Sequence, residues 1–302
     1  MEWQEHYKEV TNDTANMTLD ESITAYVTLK ENLLSPATIR GYENIRKNKL
    51  DTLTNKKLSR ITKNDIQSEI NKESENSSPK TVRNIYGLLR TVMNEYRPDF
   101  NVKITLPQKK KFTGQSLTGE QIGKLLEAIQ GDDAEIPILL ALWLGLRRSE
   151  IIGLKWDCIN LESHTLNVCA ALVPDKDNKF VLKGTKTESS NRTLCIPDYI
   201  YDKLKIVPHK TEFVATLAGD TIRKRLQRFC HSAGIPEIRL HDLRHTMASV
   251  GLLLNISDKY MMERGGWSSA GTMKSIYQHT VKDGQDAADT TINKYFESLI
   301  KK

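Results

Sequence analysis

Four times before residue 80 a Ser or Thr stands where a helix should begin, and that repetition constrains the fold more than any other feature. Thr18 is followed three residues on by Glu21, a capping-box pair, with Ile23, Val27 and Leu33 or Leu34 as apolar positions. Ser35-Pro36 supplies an N-cap and a proline at the first helical position, ahead of Ile39, Tyr42 and Ile45. Thr62 with Asp65 opens a third helix through Ile66 and Ile70. Ser78-Pro79 opens a fourth, whose Val82, Ile85, Leu89, Val92 and Tyr96 form a stripe. Short capped helices in this density predict a small all-helical domain over residues 18–100, behind a polar lead-in of residues 1–17.

Charge is distributed unevenly along the 302 residues. The net value is a modest +6, yet residues 36–112 alone hold seventeen Lys/Arg against eight Asp/Glu. A basic segment of that size is an electrostatic footprint for a polyanion. The candidates for phosphate contacts on the exposed faces of the helices are Arg40, Arg46, Lys47, Lys49, Lys80, Arg83 and Arg90. Residues 101–113 have no periodicity, contain Pro107 and include Lys109, Lys110 and Lys111, so they read as a basic interdomain linker. No apolar run approaches the roughly 20 residues of a membrane span, and the acidic start is no signal peptide. Cys158, Cys169, Cys195 and Cys230 stand singly, without zinc-ligand spacing, which suits reduced thiols and a cytoplasmic setting.

A second domain is expected over 114–302. Thr118 with Gln121 caps its first helix, and the apolar run Ile136 to Leu146 predicts a buried one. Thr165–Ala170, Lys179–Leu182 and Arg192–Ile196 read as strands of a small antiparallel sheet. Helices return around Thr221–Cys230, at Leu240 onward, near Ser257–Glu263, around Ser269–Tyr277 and from about Asp283 to the end. The fold class is therefore mainly α with a small antiparallel β-sheet (α+β).

One stretch in this half carries chemistry. In Leu240-His241-Asp242-Leu243-Arg244-His245-Thr246, His241 and Arg244 are three apart and leave one helix face, beside a stripe of Leu243, Met247, Val250 and Leu254. An imidazole next to a guanidinium is suited to gripping an anion. Arg147 lies where the apolar run meets the next element, with Glu150 three residues on to hold it or a neighbouring polar group. Lys186 lies on the turn side of the sheet, and Tyr277 follows Trp267 by ten residues.

Taken together, these phrases resemble the tyrosine recombinase (phage integrase) family. They are Leu144-Gly145-Leu146-Arg147-Arg148-Ser149-Glu150, Lys186-Thr187-Glu188-Ser189-Ser190-Asn191-Arg192-Thr193, the stretch from Leu240 to Thr246, and Gly266-Trp267-Ser268-Ser269 with Tyr277 and His279. The likeness runs from about Thr18 to the last helix. The resemblance implies a helical, SAM-like core-site-binding domain followed by a recombinase catalytic domain. It implies that Tyr277 is the nucleophile, that Arg147 and Arg244 clamp the scissile phosphate, and that Lys186 protonates the leaving 5′ oxygen. His241 and Trp267 would support phosphate and proton traffic.

The residue types fit such a reaction on physical grounds. A phosphodiester under attack gathers negative charge that planar guanidinium forks meet bidentately. Tyrosine's usual pKa is about 10, so nearby cations must favour its anion. The covalent intermediate stores the broken bond's energy, and rejoining needs no ATP. No metal and no cofactor is implied. The implied partners are double-stranded DNA recombination sites and further copies of the chain, a tetramer on DNA, with room for accessory DNA-bending or directionality factors.

Two departures from the family pattern stand out. Trp267 replaces a common His, leaving only an indole N–H donor, and Arg264-Gly265-Gly266 replaces a Leu-Gly lead-in, which would loosen the helix before Tyr277. Residues 1–17 are too short for an arm-site-binding domain, so the expectation is a simpler recombinase or a piece of a longer one. A type IB topoisomerase and a catalytically idle DNA-binding protein are the rival readings. The last segment, Asp286 to Ile300, has an apolar stripe of Ile292, Tyr295, Phe296, Leu299 and Ile300 fit to pack at home or on a neighbouring protomer.

Overall fold

The computed structural model describes residues 16–109, 114–184 and 191–277. Lys110, Lys111, Lys186 and the stripe from Asp286 to Ile300 fall outside them. The chain divides into two compact units, residues 1–112 with 173–181, and residues 113–172 with 182–302.

The first unit is built from α1 (Leu19–Leu29), α2 (Pro36–Asn48), α3 (Lys63–Asn76) and α4 (Pro79–Tyr96). Each starts as the sequence predicts. Thr18 and Thr62 make reciprocal capping boxes with Glu21 and Asp65, while Ser35 and Ser78 accept from Thr38 N and Thr81 N ahead of a proline. The inward stripes meet in one core that includes Leu19, Ile23, Ile66, Ile70, Ile85 and Leu89, all 2% exposed or less. Leu34 packs on that core, whereas Leu33 is 81% exposed, because α1 has already ended at Leu29 and helical spacing no longer applies.

The second unit holds α5 (Gly119–Ala128), α6 (Glu135–Leu142), α7 (Arg148–Ile152), α8 (Asp198–Ile206), α9 (Gly219–Ser232), α10 (Leu240–Leu253), α11 (Asp258–Gly265) and α12 (Ala270–Tyr277). Strands β1 (Ile159–Asn160), β2 (Thr165–Val168) and β5 (Arg192–Cys195) form an antiparallel sheet in the order β1-β2-β5. Leu166 faces Leu194 and Val168 faces Arg192 in its register. Strands β3 (Ala170–Pro174) and β4 (Phe180–Gly184) pair separately. The single strand expected over Thr165–Ala170 thus breaks at Cys169, and β1 and α8 are additions that the sequence pattern did not signal.

The apolar run also ends sooner than its composition predicts. α6 stops at Leu142, because Gly145 takes a left-handed φ of +69° that closes the helix and turns the chain. A Cβ there would stand 2.2 Å from the Met247 methyl, the far end of a flexible side chain, so it is the left-handed φ that favours glycine at this position. The turn delivers Arg147 in an extended conformation as the N-cap of α7. Among the described residues no helix is long and apolar enough to cross a membrane.

Candidate active site

The site forms where the N-terminus of α10 meets the α6–α7 turn and the end of α11. Asp242 sets the start of α10. Its buried carboxylate accepts from Arg239 N at 2.9 Å, Nε at 2.9 Å and Nη2 at 2.7 Å. Burial acts to raise its pKa, but the Arg239 contacts outweigh it and the net shift is downward. Thr246, one turn on, donates to Asp242 O and accepts from Leu117 N, which fixes the helix against the chain ahead of α5.

Arg244 is 1% exposed. Its Nη1 donates to Gly145 O, and its guanidinium carbon lies 3.9 Å from the ring centroid of Trp267. A buried cation held by a carbonyl and an aromatic face sits where a phosphate would gain most from it. The contact Trp267 makes is through its ring face, and the residue belongs to a small cluster with Met247, Ala248, Met261 and Met273.

The glycines before Trp267 shape the site. Gly266 ends α11 as a left-handed cap with φ +63°. Any Cβ on Gly265 would collide with the Trp267 ring at 2.0 Å. The carbonyl of Gly266 then accepts from Arg147 Nη2 at 2.6 Å.

Arg147 is partly exposed, and its Nη1 also donates to Glu150 Oε1 at 2.6 Å. Glu150 is 3% exposed and shared. Its Oε2 accepts from Arg147 N at 2.9 Å and from Arg192 Nη2 at 2.9 Å, and its Oε1 accepts from Arg192 Nη1 at 3.4 Å. Burial works to raise the Glu150 pKa, but Arg192 and then Arg147 overcome it and hold the group ionised. In the sequence Arg192 stands within the phrase from Lys186 to Thr193 with no task of its own. The signal was in the alternation: Arg192 shares a strand face with Leu194, so a buried arginine there must have a buried partner.

His241 keeps an exposed face, and its ring meets His245 edge-on at 4.5 Å. Desolvation, followed by the positive charge of Arg244, lowers its pKa, with smaller effects from Arg239 and Arg147. It is therefore a neutral imidazole near pH 7, free to exchange a proton. Arg147, Glu150, His241, Arg244 and Trp267 thus lie in one neighbourhood, with Arg192 added to them. Tyr277 ends α12, which Lys274 ties to Asp258 of α11 at 2.7 Å. The Tyr277 side chain and Lys186 are outside the described residues.

His245 makes a measurable prediction. It is 5% exposed, and burial, the adjacent His241 and Arg244 hold its pKa at about 4 against the opposing pull of Asp242. The unfolded chain, with an ordinary value of 6.5, binds the extra proton between those limits. Its contribution is therefore complete above pH 6.5 and disappears as pH falls toward 4, a loss of about 3 kcal/mol. Urea midpoints measured from pH 7 to pH 4 should fall steeply for the native chain and less for His245→Gln. Parallel curves would contradict the assignment.

The basic candidates of the first unit separate into two groups. Arg40, Lys47, Lys80, Arg90 and Lys109 are exposed, with Arg40 Nε donating to Asn178 Oδ1 at 3.0 Å. Arg46, Lys49 and Arg83 are not on open faces as expected. Arg46 is held by Asp20 at 2.7 Å and Glu43 at 2.9 Å, Lys49 by Glu73 at 2.9 Å, and Arg83 donates to Pro107 O at 2.8 Å. Their long side chains lie along the domain and satisfy acids and a carbonyl within it. A basic stripe on α9 went unremarked in the sequence, with Lys224 and Arg228 exposed on the face opposite Ile222 and Leu226. Its helical spacing was the signal.

Comparisons with known proteins bear on the family and the fold. The phage integrase family model matches residues 115–283. A tyrosine recombinase XerC-like protein of Caldanaerobacter subterraneus subsp. tengcongensis is 27% identical over 265 residues, which covers 74% of this chain and 68% of that protein. The integrase of Salmonella phage P22 is 28% identical over 205 residues, covering 61% of this chain and 49% of the phage protein. This chain therefore spans about half to two thirds of the length of these curated relatives. Among solved structures, the Tn1549 transposon integrase in complex with transposon right end DNA superposes with a TM-score of 0.72 at 18% identity, covering 92% of this chain and 100% of that one. A lambda integrase tetramer bound to a Holliday junction gives 0.63 at 18% identity, with 88% and 78% covered. At such identities these two show a shared fold. With the match at 115–283 taking in every element of the site, the chain belongs to the phage integrase family of tyrosine recombinases.

Proposed function

We propose that this chain is a site-specific DNA recombinase that cuts and rejoins strands through a 3′-phosphotyrosyl intermediate, in the integration or excision of a phage or other mobile element. The observation that carries the reading is the meeting of Arg147, His241 and Arg244 at the start of α10, beside a short helix that ends in Tyr277. The phenol gives up its proton to a base, a role that the neutral His241 imidazole can take, and its oxygen bonds to phosphorus. The bond to the 5′ oxygen breaks, and that oxygen takes a proton from Lys186. Arg147 and Arg244 neutralise the charge that gathers on the non-bridging oxygens, with His241 as a neutral donor or acceptor beside them. Reversal by another strand's 5′ hydroxyl completes the exchange. This reading places the protein in the cytoplasm with its DNA, working as a homo-tetramer.

An apolar groove of about 370 Å³, lined in part by Leu126, Trp143, Val250, Leu254, Ile256 and Tyr260, supports assembly. Leu254 is 67% exposed at its edge, outside the core-facing stripe expected for it, because it follows the end of α10 at Leu253. Open apolar surface of this kind is fit for contact with another protomer.

The test is a nicked recombination site that loses its 5′ fragment on cleavage. The expected product is a covalent protein–DNA species that maps to Tyr277 and migrates with four copies when two sites are paired. No covalent species on any such site would overturn the reading.

Affinity should also depend steeply on salt. If Arg40, Lys47, Lys80, Arg90 and Lys109 each neutralise a phosphate, the slope of log affinity against log salt is about −4.5, a loss of roughly 500-fold between 50 and 200 mM. Changing Lys80, Arg90 and Lys109 to Ala should flatten the slope by about 2.7 in a fluorescence anisotropy titration. An unchanged slope would remove these residues from the interface.

A further inference from the structure

We propose that Arg192 is a positioning residue that sets the guanidinium of Arg147 toward the scissile phosphate through the two acceptors that hold it. This rests on the reading of Arg147 as a phosphate ligand. The first acceptor is Glu150, whose two oxygens offer about four lone-pair sites. All four are taken: Arg147 Nη1 and Arg192 Nη1 on Oε1, and Arg147 N and Arg192 Nη2 on Oε2. Arg147 is thereby limited to one side-chain bond with this carboxylate, and its remaining donors stay directed elsewhere. The second acceptor is Gly266 O, two residues after Arg264, whose own carbonyl accepts from Arg192 Nε at 2.9 Å. One buried side chain on β5 therefore fixes α7 on one side and the end of α11 on the other.

Charge explains why the third member matters. Two guanidiniums around one buried carboxylate leave a net positive charge, and Arg147 is the more exposed of the two, with 34% of its side chain open against 6% for Arg192. Without Arg192, half of the Glu150 lone pairs lose their donors in a place closed to water. A buried carboxylate in that state draws the remaining arginine into a bidentate fork. Arg147 would then turn its paired edge to Glu150 and lose its aim at a phosphate. The Arg264 carbonyl would lose its donor as well, and the Gly266 carbonyl would drift with it.

The experiment compares single-turnover cleavage and DNA affinity for the full chain and its variants. Arg192→Gln should cleave roughly 10- to 100-fold more slowly, the range expected for a misplacement of about 1 Å, while Kd changes less than about threefold. Adding Glu150→Gln should recover roughly three- to tenfold of that rate, since a neutral amide no longer captures Arg147. A purely structural role would lower the melting temperature, leave the folded fraction cleaving at the native rate, and show no recovery in the double variant. Either result would overturn the proposal. If Arg192→Gln does not fold, Arg192→Lys serves instead, because it keeps the charge and loses the fork. Its rate should fall at least about fivefold at unchanged Kd, and a native rate there would also overturn the proposal. If the native chain forms no covalent species at all, the failure belongs to the recombinase reading rather than to Arg192.

Discussion

Tyr277→Phe should bind a duplex recombination site as the native chain does and form no covalent species with it. The substitution removes one oxygen and keeps the ring, a nearly volume-conserving change at the last residue of α12. A nucleophile is the one member of such a site that electrostatics cannot replace, and its loss should cost about 10⁴-fold or more in cleavage. Rejoining should fail to the same degree, because both half-reactions pass through the same bond. Trapping on a nicked site, followed by peptide mapping of the native adduct, reads both. Tyr260 and Tyr295 are the alternatives. Tyr260 is 52% exposed and lines the apolar groove. An adduct that persists in Tyr277→Phe and maps to either would move the chemistry to that residue, and one mapping to neither would end the assignment.

Local signals carried the fold where the chemistry of a helix end is local. Thr18, Ser35, Thr62, Ser78 and Thr118 cap the helices they were expected to cap, because a hydroxyl three residues ahead of an N–H needs nothing distant to act. The His241–Arg244 pair was legible for the same reason, since three residues on a helix define one face. What stayed hidden depends on contacts across the chain. Composition could not show that Gly145 would stop α6 four residues early, because a glycine permits a left-handed φ of +69° without requiring it. Periodicity placed Leu254 in the core stripe, but a stripe extends only as far as its helix. Basic residues look alike in sequence whether they face DNA or their own acids. Arg46 and Arg90 are the same residue type on two helices of one unit, yet Arg46 has Asp20 and Glu43 beside it in space while Arg90 stays exposed. Arg192 was written in a motif, yet its work appears only once Glu150 is seen between two guanidiniums.

The second large effect concerns Arg244, where charge and shape can be separated. Arg244→Lys keeps a cation in the same buried place but loses the planar fork. It also gives up the stacking on Trp267 at 3.9 Å and the planar geometry of the edge that holds Gly145 O. Cleavage should fall on the order of 10²- to 10³-fold, the usual cost of one oxyanion donor. Binding should weaken far less, because it is spread over many phosphates. Stability is the competing explanation, since the side chain is 1% exposed and a truncated one leaves the Gly145 carbonyl without this donor, at about 1–3 kcal/mol. Arg244→Gln separates the two: it can still reach a carbonyl but carries no charge. If rate followed folding, the Lys and Gln variants would cleave in proportion to their folded fractions, read by thermal melts under assay conditions. If rate follows the phosphate, both remain slow when fully folded, and Gln is slower than Lys. A Lys variant that cleaves within about threefold of the native rate would show that the fork has no part in stabilising the transition state, and Arg244 would then be a buried strut for Trp267 and the α6–α7 turn.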